Sequence, residues 1–237
     1  FLIDRSATLT MSQDPRPYLQ RALMQGLLAG DELIVIANGL ELIRKAKSLG
    51  GVERGRTPLL RSITRAIGDL RALERLIRSK LTPSGELKDE ASPMLRQLRR
   101  DSRLAYQAAS KGLQGLIEAD LGAEVLQDRL FTVRGDRLVL PIKADFKGKI
   151  PGIVHGVSDS GATLFIEPLT NVSATNRWRE ATAADEEESM RILRHISGDV
   201  AKRASEALHA LAIVARLDAA FAKARYARTY QGVTKIG

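Results

Sequence analysis

The sequence predicts a mainly α-helical protein, a helical core with long helices into which a small antiparallel β region of two hairpins is inserted. Three observations predict this fold class. Apolar residues recur at helical spacing through the first half of the 237 residues. The period changes to two between Leu130 and Pro168, and helical spacing then returns.

The first half is predicted to form a series of helices. Two are expected between residues 14 and 50, with Gly30 and Asp31 as a C-cap followed by an N-cap. Two more begin at Thr57-Pro58 and Ser92-Pro93, where a capping hydroxyl precedes a proline in the first turn. The turn residues 82–85 separate these two, and helical signals persist to about Glu118.

A first hairpin is predicted around a two-residue Gly135-Asp136 turn, which pairs Arg134 with Arg137. Apolar residues then share one face, namely Phe131, Val133, Leu138, Leu140 and Ile142, and basic residues share the other, namely Arg134, Arg137 and Lys143. Pro141 suggests an edge strand or a bulge.

A second hairpin is predicted from the arms GIVHGV and ATLFIE, joined by the turn Ser158-Asp159-Ser160-Gly161. This turn resembles a nucleophile loop, but a nucleophile needs a base within hydrogen-bond reach. The predicted register places His155 opposite Leu164, among apolar residues, which favours a core or interface imidazole. We therefore expect a structural turn, with alanine at Ser158 or Ser160 changing the activity of a full-length protein by no more than a few-fold.

The last segment is predicted to be a long helix capped by Thr170 or Asn171. Apolar residues continue at steps of three and four as one seam, formed by Leu193, Ile196, Val200, Ala204, Ala207, Leu211, Val214, Leu217 and Phe221. A single straight helix over residues 173–227 would span on the order of 80 Å. We therefore expect Gly198 to break or bend it.

Composition favours a polyanionic partner. There are 37 Lys and Arg against 28 Asp and Glu, a net charge of +9, which suits nucleic acid and equally a ribosomal or acidic protein surface. Without cysteine, neither a disulfide nor a thiolate zinc site can form. No apolar run has membrane-spanning length, and the start of the sequence lacks both Met and a signal pattern. We therefore expect a fragment of a cytoplasmic protein.

Enzymatic chemistry is not predicted for this chain. It contains no GxxxxGK[ST] motif, so no nucleotide cofactor is expected within it. His195 and His209 lie about 21 Å apart along one helix, too far to share a metal. The acidic run 185–188 is expected to be a solvated face that pairs with Arg191 and Arg194.

Three groups of basic residues are candidate phosphate contacts, with simple solvation as the alternative for each. The first is the helical stripe Arg96, Arg99, Arg100 and Arg103, and the second is the stripe Arg71, Arg75 and Arg78. The third lies in the β region and comprises Arg129, Arg134, Arg137, Lys143, Lys147 and Lys149. Two like charges side by side at Arg134 and Arg137 hint that a polyanion screens them.

The segment RGDRLVLPIKADFKGKIPGIVHGVSDSGATLFIEP closely resembles the bacterial MutS-two family. ILRHIS and LDAAFAKARYA extend the match, and SGELKDEASPMLRQLRR and DPRPYLQRA resemble the family's helical core more weakly. The resemblance implies a helical core and ascending lever at 1–120, a β clamp at 121–170, and returning lever helices and core at 171–237. Two positions depart from the family, Gly156 where it usually has Asp and Thr175 where it usually has Asn.

The resemblance also implies a full-length protein that continues into an ATPase domain using ATP and Mg and into a Smr-type endonuclease. This chain would then be the non-catalytic part of a bacterial homodimer that binds branched or duplex DNA and suppresses recombination. An alternative is a clamp that binds ribosomes and rRNA in an ATPase that splits collided ribosomes. A third is a dimerisation scaffold that pairs the Leu193-to-Phe221 seam between chains.

Overall fold

The computed structural model describes residues 11–49, 58–119 and 124–229. These residues are mainly helical and include one small antiparallel sheet, which confirms the predicted fold class. The helices are α1 (Arg16–Leu23), α2 (Gly30–Leu49), α3 (Pro58–Arg65), α4 (Arg71–Lys80), α5 (Pro93–Glu118) and α6 (Leu169–Thr229). The strands are β1 (Thr132–Arg134), β2 (Arg137–Lys143), β3 (Gly152–Val157) and β4 (Thr163–Pro168).

The chain divides into two compact units. The helical unit comprises the chain up to Ala91 together with the chain from Met190 onward, and the sheet unit comprises Ser92–Ser189. Helix α6 contributes residues to both units. Among the described residues, no helix combines the length and apolar content needed to cross a membrane.

The helical unit is organised around α2, which packs against α1, α3 and α4 and buries an almost continuous apolar run. The two helices predicted between residues 14 and 50 are confirmed, but the predicted junction at Gly30-Asp31 is wrong. Helix α1 ends at Leu23, and Gly30 is the first residue of α2. A Cβ at Gly30 would overlap the carbonyl oxygen of Gly85, so this glycine permits a close backbone contact.

The apolar seam of the last helix is buried inside the helical unit, except at its two end residues. Helix α6 begins at Leu169, slightly before the predicted cap, and continues through Gly198 without the break that we expected. A glycine in mid-helix costs stability but does not by itself end the hydrogen-bond ladder. Because the seam is already covered within the chain, it does not offer the surface that a dimerisation scaffold would need.

The two helices of the sheet unit, α5 and the first part of α6, run antiparallel along a largely polar seam. Ser92 Oγ accepts from the N–H of Leu95 at 2.9 Å, which confirms the predicted cap, whereas Thr57 lies outside the described residues. Four contacts join Ser92 and α5 to α6, namely Ser92 with Glu188 (2.7 Å), Arg99 with Asp185 (3.4 Å), Ser102 with Thr182 (3.2 Å), and an edge-on Tyr106–Trp178 ring pair (5.3 Å between centroids). The acidic run is thus not a wholly solvated face, because Asp185 and Glu188 face α5.

The two predicted hairpins join into one four-stranded sheet with the order β1-β2-β4-β3. In the first hairpin Arg134 pairs with Arg137 as predicted. Gly135 and Asp136 have φ values of +51° and +60°, as a type I′ turn requires. The second hairpin is also confirmed, with Gly161 at a φ of +75°. Strand β4 lies between β2 and β3, so it pairs the hairpins with each other.

One face of the sheet carries the core of the unit. Leu138, Leu140 and Ile142 are fully buried there together with apolar residues of α5. The predicted alternation is wrong at two places, since Val139 on the opposite face is also buried and Val133 is 50% exposed.

Pro141 lies in the central strand β2, so the predicted edge position is wrong. Its carbonyl oxygen accepts from the N–H of Gln127 at 2.9 Å. In a strand the nitrogen and carbonyl of one residue point to the same side. The nitrogen of Pro141 therefore faces the Gln127 segment beyond the end of β1 and points away from β4, so the β2–β4 ladder loses no donor.

Candidate nucleic-acid interface

The face of the sheet opposite the core carries most of its charged side chains. Because successive residues of a strand point to opposite faces, the residues that alternate with Leu138, Leu140, Leu164 and Ile166 lie on this second face. We call it the polar face, and it is formed by Arg134, Arg137, Lys143, Phe165 and Glu167.

Glu167 is the centre of the polar face. Its side chain is fully buried, and its Oε1 and Oε2 lie 3.2 Å from Arg137 Nη1 and 2.8 Å from His155 Nε2. Arg137 also donates to Asn176 Oδ1 at 2.7 Å. A buried carboxylate is tolerated only when charge and hydrogen bonds compensate it. The network therefore joins β2, β3, β4 and α6 through one anion.

His155 reaches Glu167 because of a β-bulge. Val154 pairs with Ile166 and Gly156 pairs with Phe165, so His155 is the extra residue between them. The predicted pairing of His155 with Leu164 is wrong because Leu164 pairs with Val157, so the connection over residues 158–163 is longer than the predicted four-residue turn. The imidazole lies on the Glu167 side, with 24% of its side chain exposed.

Arg134 has a different environment from Arg137, although the two are directly opposite each other. The Arg134 guanidinium carbon lies 3.8 Å from the centroid of the Phe165 ring. Since β1 and β4 flank β2, the Arg134 side chain spans the width of β2 to reach this ring. Arg137 is neutralised by Glu167 while Arg134 is held by an aromatic face, so the pair is accommodated without a bound polyanion.

The connection between β2 and β3 and the segment before β1 carry exposed cations. Arg129, Lys147 and Lys149 are exposed and make no ion pair with any described residue. Lys143 differs, because its Nζ donates to the carbonyl oxygen of Glu124 at 2.9 Å and lies near the Phe146 ring. Of the basic residues predicted in the β region, Arg137 and Lys143 thus have structural partners, and the others remain available.

The predicted stripe on α5 likewise contains two exposed arginines and two that already have a partner within the chain. Arg96 and Arg100 are exposed, whereas Arg99 pairs with Asp185 and Arg103 has a partner within the chain.

The predicted stripe on α4 belongs to the helical unit and is mostly engaged there. Arg78 pairs with Glu41 at 2.8 Å, and Arg71 binds Asp69 at 2.6 Å. The hydrogen bonds from Arg71 hold the pKa of Asp69 well below its usual range. Arg75 alone of this stripe is exposed with no ion pair to a described residue.

The Ser158–Gly161 turn is stabilised by the hydroxyl of Ser158. Ser158 Oγ accepts from the N–H of Thr163 at 3.0 Å, and Gly161 N–H donates to the Ser158 carbonyl at 2.8 Å. The hydroxyl is therefore used to close the hairpin, which supports the structural interpretation of HGVSDSGATLFIEP.

Glu167, Phe165 and Asn176 were not among the residues predicted for the site. Within ATLFIE, the predicted arm places Phe165 and Glu167 on one face, and this alternation was the available signal. Nothing local distinguishes a buried glutamate from a solvated one, because its burial depends on Arg137 and His155, 30 and 12 residues away.

Curated relatives cover nearly the whole chain. It is 35% identical to Endonuclease MutS2 of Halalkalibacterium halodurans over 94% of this chain and 29% of that protein. It is 36% identical to Endonuclease MutS2 of Symbiobacterium thermophilum over 90% of this chain and 26% of that protein. It is 37% identical to Endonuclease MutS2 of Geobacillus thermodenitrificans over 92% of this chain and 28% of that protein.

These relatives extend well beyond the matched region, since the chain spans only 26 to 29% of their lengths. No protein-family model matches the chain. Each relative nevertheless aligns over at least nine-tenths of it, including the β segment on which the resemblance was based. The chain therefore belongs to the MutS2 family and corresponds to slightly more than a quarter of a full-length member.

Proposed function

We propose that this chain is the non-catalytic core, lever and clamp region of a MutS-type ATPase, and that its sheet unit binds branched or duplex DNA through the phosphates. In this proposal residues 121–170 are the clamp, and 1–120 and 171–237 supply core and lever. The relatives carry the MutS name, which favours DNA as the polyanion.

One observation carries the proposal. Arg129, Lys147 and Lys149 are exposed cations without an internal ion pair among the described residues, and Arg134 is ordered on Phe165 without being neutralised. Cations that already pair with Asp or Glu gain little from a phosphate, because they must first give up that partner. Unpaired cations release counterions from DNA and bind without reading its sequence.

The remaining parts of the proposal rest on the resemblance and on the name of the relatives, endonuclease. We propose that the full-length protein is a cytoplasmic homodimer that uses ATP and Mg in a separate ATPase domain, cleaves nucleic acid in a Smr-type domain, and suppresses recombination.

The test is the salt dependence of DNA binding by the chain. Replacing Lys147 and Lys149 with Ala is expected to lower the log-log salt slope for a labelled four-way junction or duplex by about 1.8, near 0.9 for each lost phosphate contact. Fluorescence anisotropy over a series of salt concentrations measures this slope.

A matched control removes the same charge from paired lysines. Lys45 pairs with Glu41 at 2.8 Å and Lys202 with Asp199 at 2.7 Å, so their double alanine variant is expected to leave the slope unchanged. Equal slopes for wild type and the Lys147/Lys149 variant would place the contact elsewhere, and the Arg96→Ala, Arg100→Ala variant then tests α5. Absence of saturable binding by the wild-type chain would refute the proposed function itself.

A further inference from the structure

The stacked pair of Arg134 and Phe165 has an arrangement that phosphate binding alone does not require. At 3.8 Å from the ring centroid, the guanidinium carbon is at van der Waals distance. The guanidinium therefore lies over the face of the ring. A lysine at this position would deliver the same charge without a fixed plane.

The guanidinium keeps its charge and much of its surface available. Arg134 is exposed beside Phe165, so the ring covers only part of it, and it makes no ion pair with a described residue. A cation–π contact also leaves the in-plane N–H donors unused. Arg137 on the opposite strand is the contrast, since its Nη1 contacts both Glu167 and Asn176.

The neighbouring strand leaves room beside the ring. Gly156 pairs with Phe165, and a Cβ added there would lie 3.9 Å from the Phe165 Cδ2. No side chain of β3 therefore covers the ring at this position, and no carboxylate competes for Arg134 there. An aspartate at residue 156 would introduce both obstacles.

We infer that Arg134, held over the face of Phe165, is a stacking platform for an unpaired base of single-stranded nucleic acid, an inference that rests on the proposed function. A planar cation suits the π face of a base, and its free N–H groups suit the adjoining phosphate. Bases inside a duplex already stack on their neighbours. The platform therefore favours branched DNA that has single-stranded arms or gaps, whereas Lys147 and Lys149 bind phosphates of either form.

The test compares a single-stranded DNA oligonucleotide with an abasic strand of the same length, which keeps the phosphates and lacks the bases. The wild-type chain is expected to bind the strand with bases about tenfold more tightly than the abasic strand, as one stacked base predicts. Arg134→Lys, which retains the charge on an exposed residue, is expected to reduce this ratio to nearly one with an unchanged salt slope.

Two further variants complete the test. Gly156→Asp is expected to reduce the ratio as Arg134→Lys does, whereas Lys147→Ala with Lys149→Ala is expected to weaken both strands equally and leave the ratio intact. A wild-type ratio of one, or a ratio that survives Arg134→Lys, would overturn the platform while leaving phosphate binding in place. A wild-type chain that binds neither strand nor duplex would refute the proposed function instead.

Discussion

Replacing Glu167 with Gln is expected to destabilise the sheet unit by about 3 kcal/mol, the cost typical of breaking a buried ion pair. Glu167 is fully buried and compensates Arg137 directly, so the amide would leave that guanidinium largely enclosed without a counter-charge. The chain has a single tryptophan, and this residue, Trp178, packs against the core of the sheet. Tryptophan fluorescence during urea unfolding therefore reports on this unit.

The control for this prediction is Glu180→Gln, the same chemical change at an exposed position of α6, which is expected to alter stability by less than about 0.5 kcal/mol. A double-mutant cycle isolates the pair itself. Arg137→Met with Glu167→Leu is expected to cost clearly less than the sum of the single changes, because neither charge is then left alone. Additive losses, or a Glu167→Gln variant as stable as wild type, would show that the network does not hold the sheet.

The network also determines which charge reversals are informative about binding. Glutamate at residue 137 would place a second carboxylate beside buried Glu167, so a loss of binding would be confounded with a loss of folding. Substitutions at Arg134, Lys147 and Lys149 avoid this problem because none of these side chains pairs with a buried anion.

Gly30→Ala is expected to destabilise the helical unit by about 3 kcal/mol, at the upper end for an overpacked site. The added methyl group would meet the backbone of Gly85, which cannot rotate away as a side chain could. Gly85 itself has a φ of +89° and lies against Asp31, so the turn has little freedom to retreat. Thermal unfolding followed by far-ultraviolet circular dichroism measures the change.

Gly198→Ala is the matched control, with the opposite expected sign. Apart from the backbone of its own helix, a Cβ at Gly198 would meet no atom within 4 Å, and alanine inside a helix is favoured over glycine by about 0.8–1.0 kcal/mol. The melting temperature should therefore rise. A fall at Gly198, or an unchanged melting temperature for Gly30→Ala, would contradict the packing that assigns these two glycines different roles.

The sequence alone determined the features that depend on residues a few positions apart. The spacing of apolar residues located the helices and the buried seam of α6. Ser92-Pro93 marked a helix start because the cap bonds a backbone N–H three residues away. Gly135-Asp136 specified the first hairpin because both residues tolerate the left-handed conformation that a type I′ turn requires. The β segment likewise carried enough family-specific residues to identify the family.

Only the tertiary structure decided which partners the charged residues have and which strands lie in the middle of the sheet. The insertion of β4 between β2 and β3 places Pro141 in mid-sheet and brings Glu167 against Arg137. One bulge residue turns His155 toward the same carboxylate. A count of basic residues gives Arg134 and Arg137 equal weight, yet one stacks on an aromatic ring and the other is neutralised. The physical reason is that burial and ion pairing depend on strand order and register between segments distant in sequence, and local pattern carries little information about either.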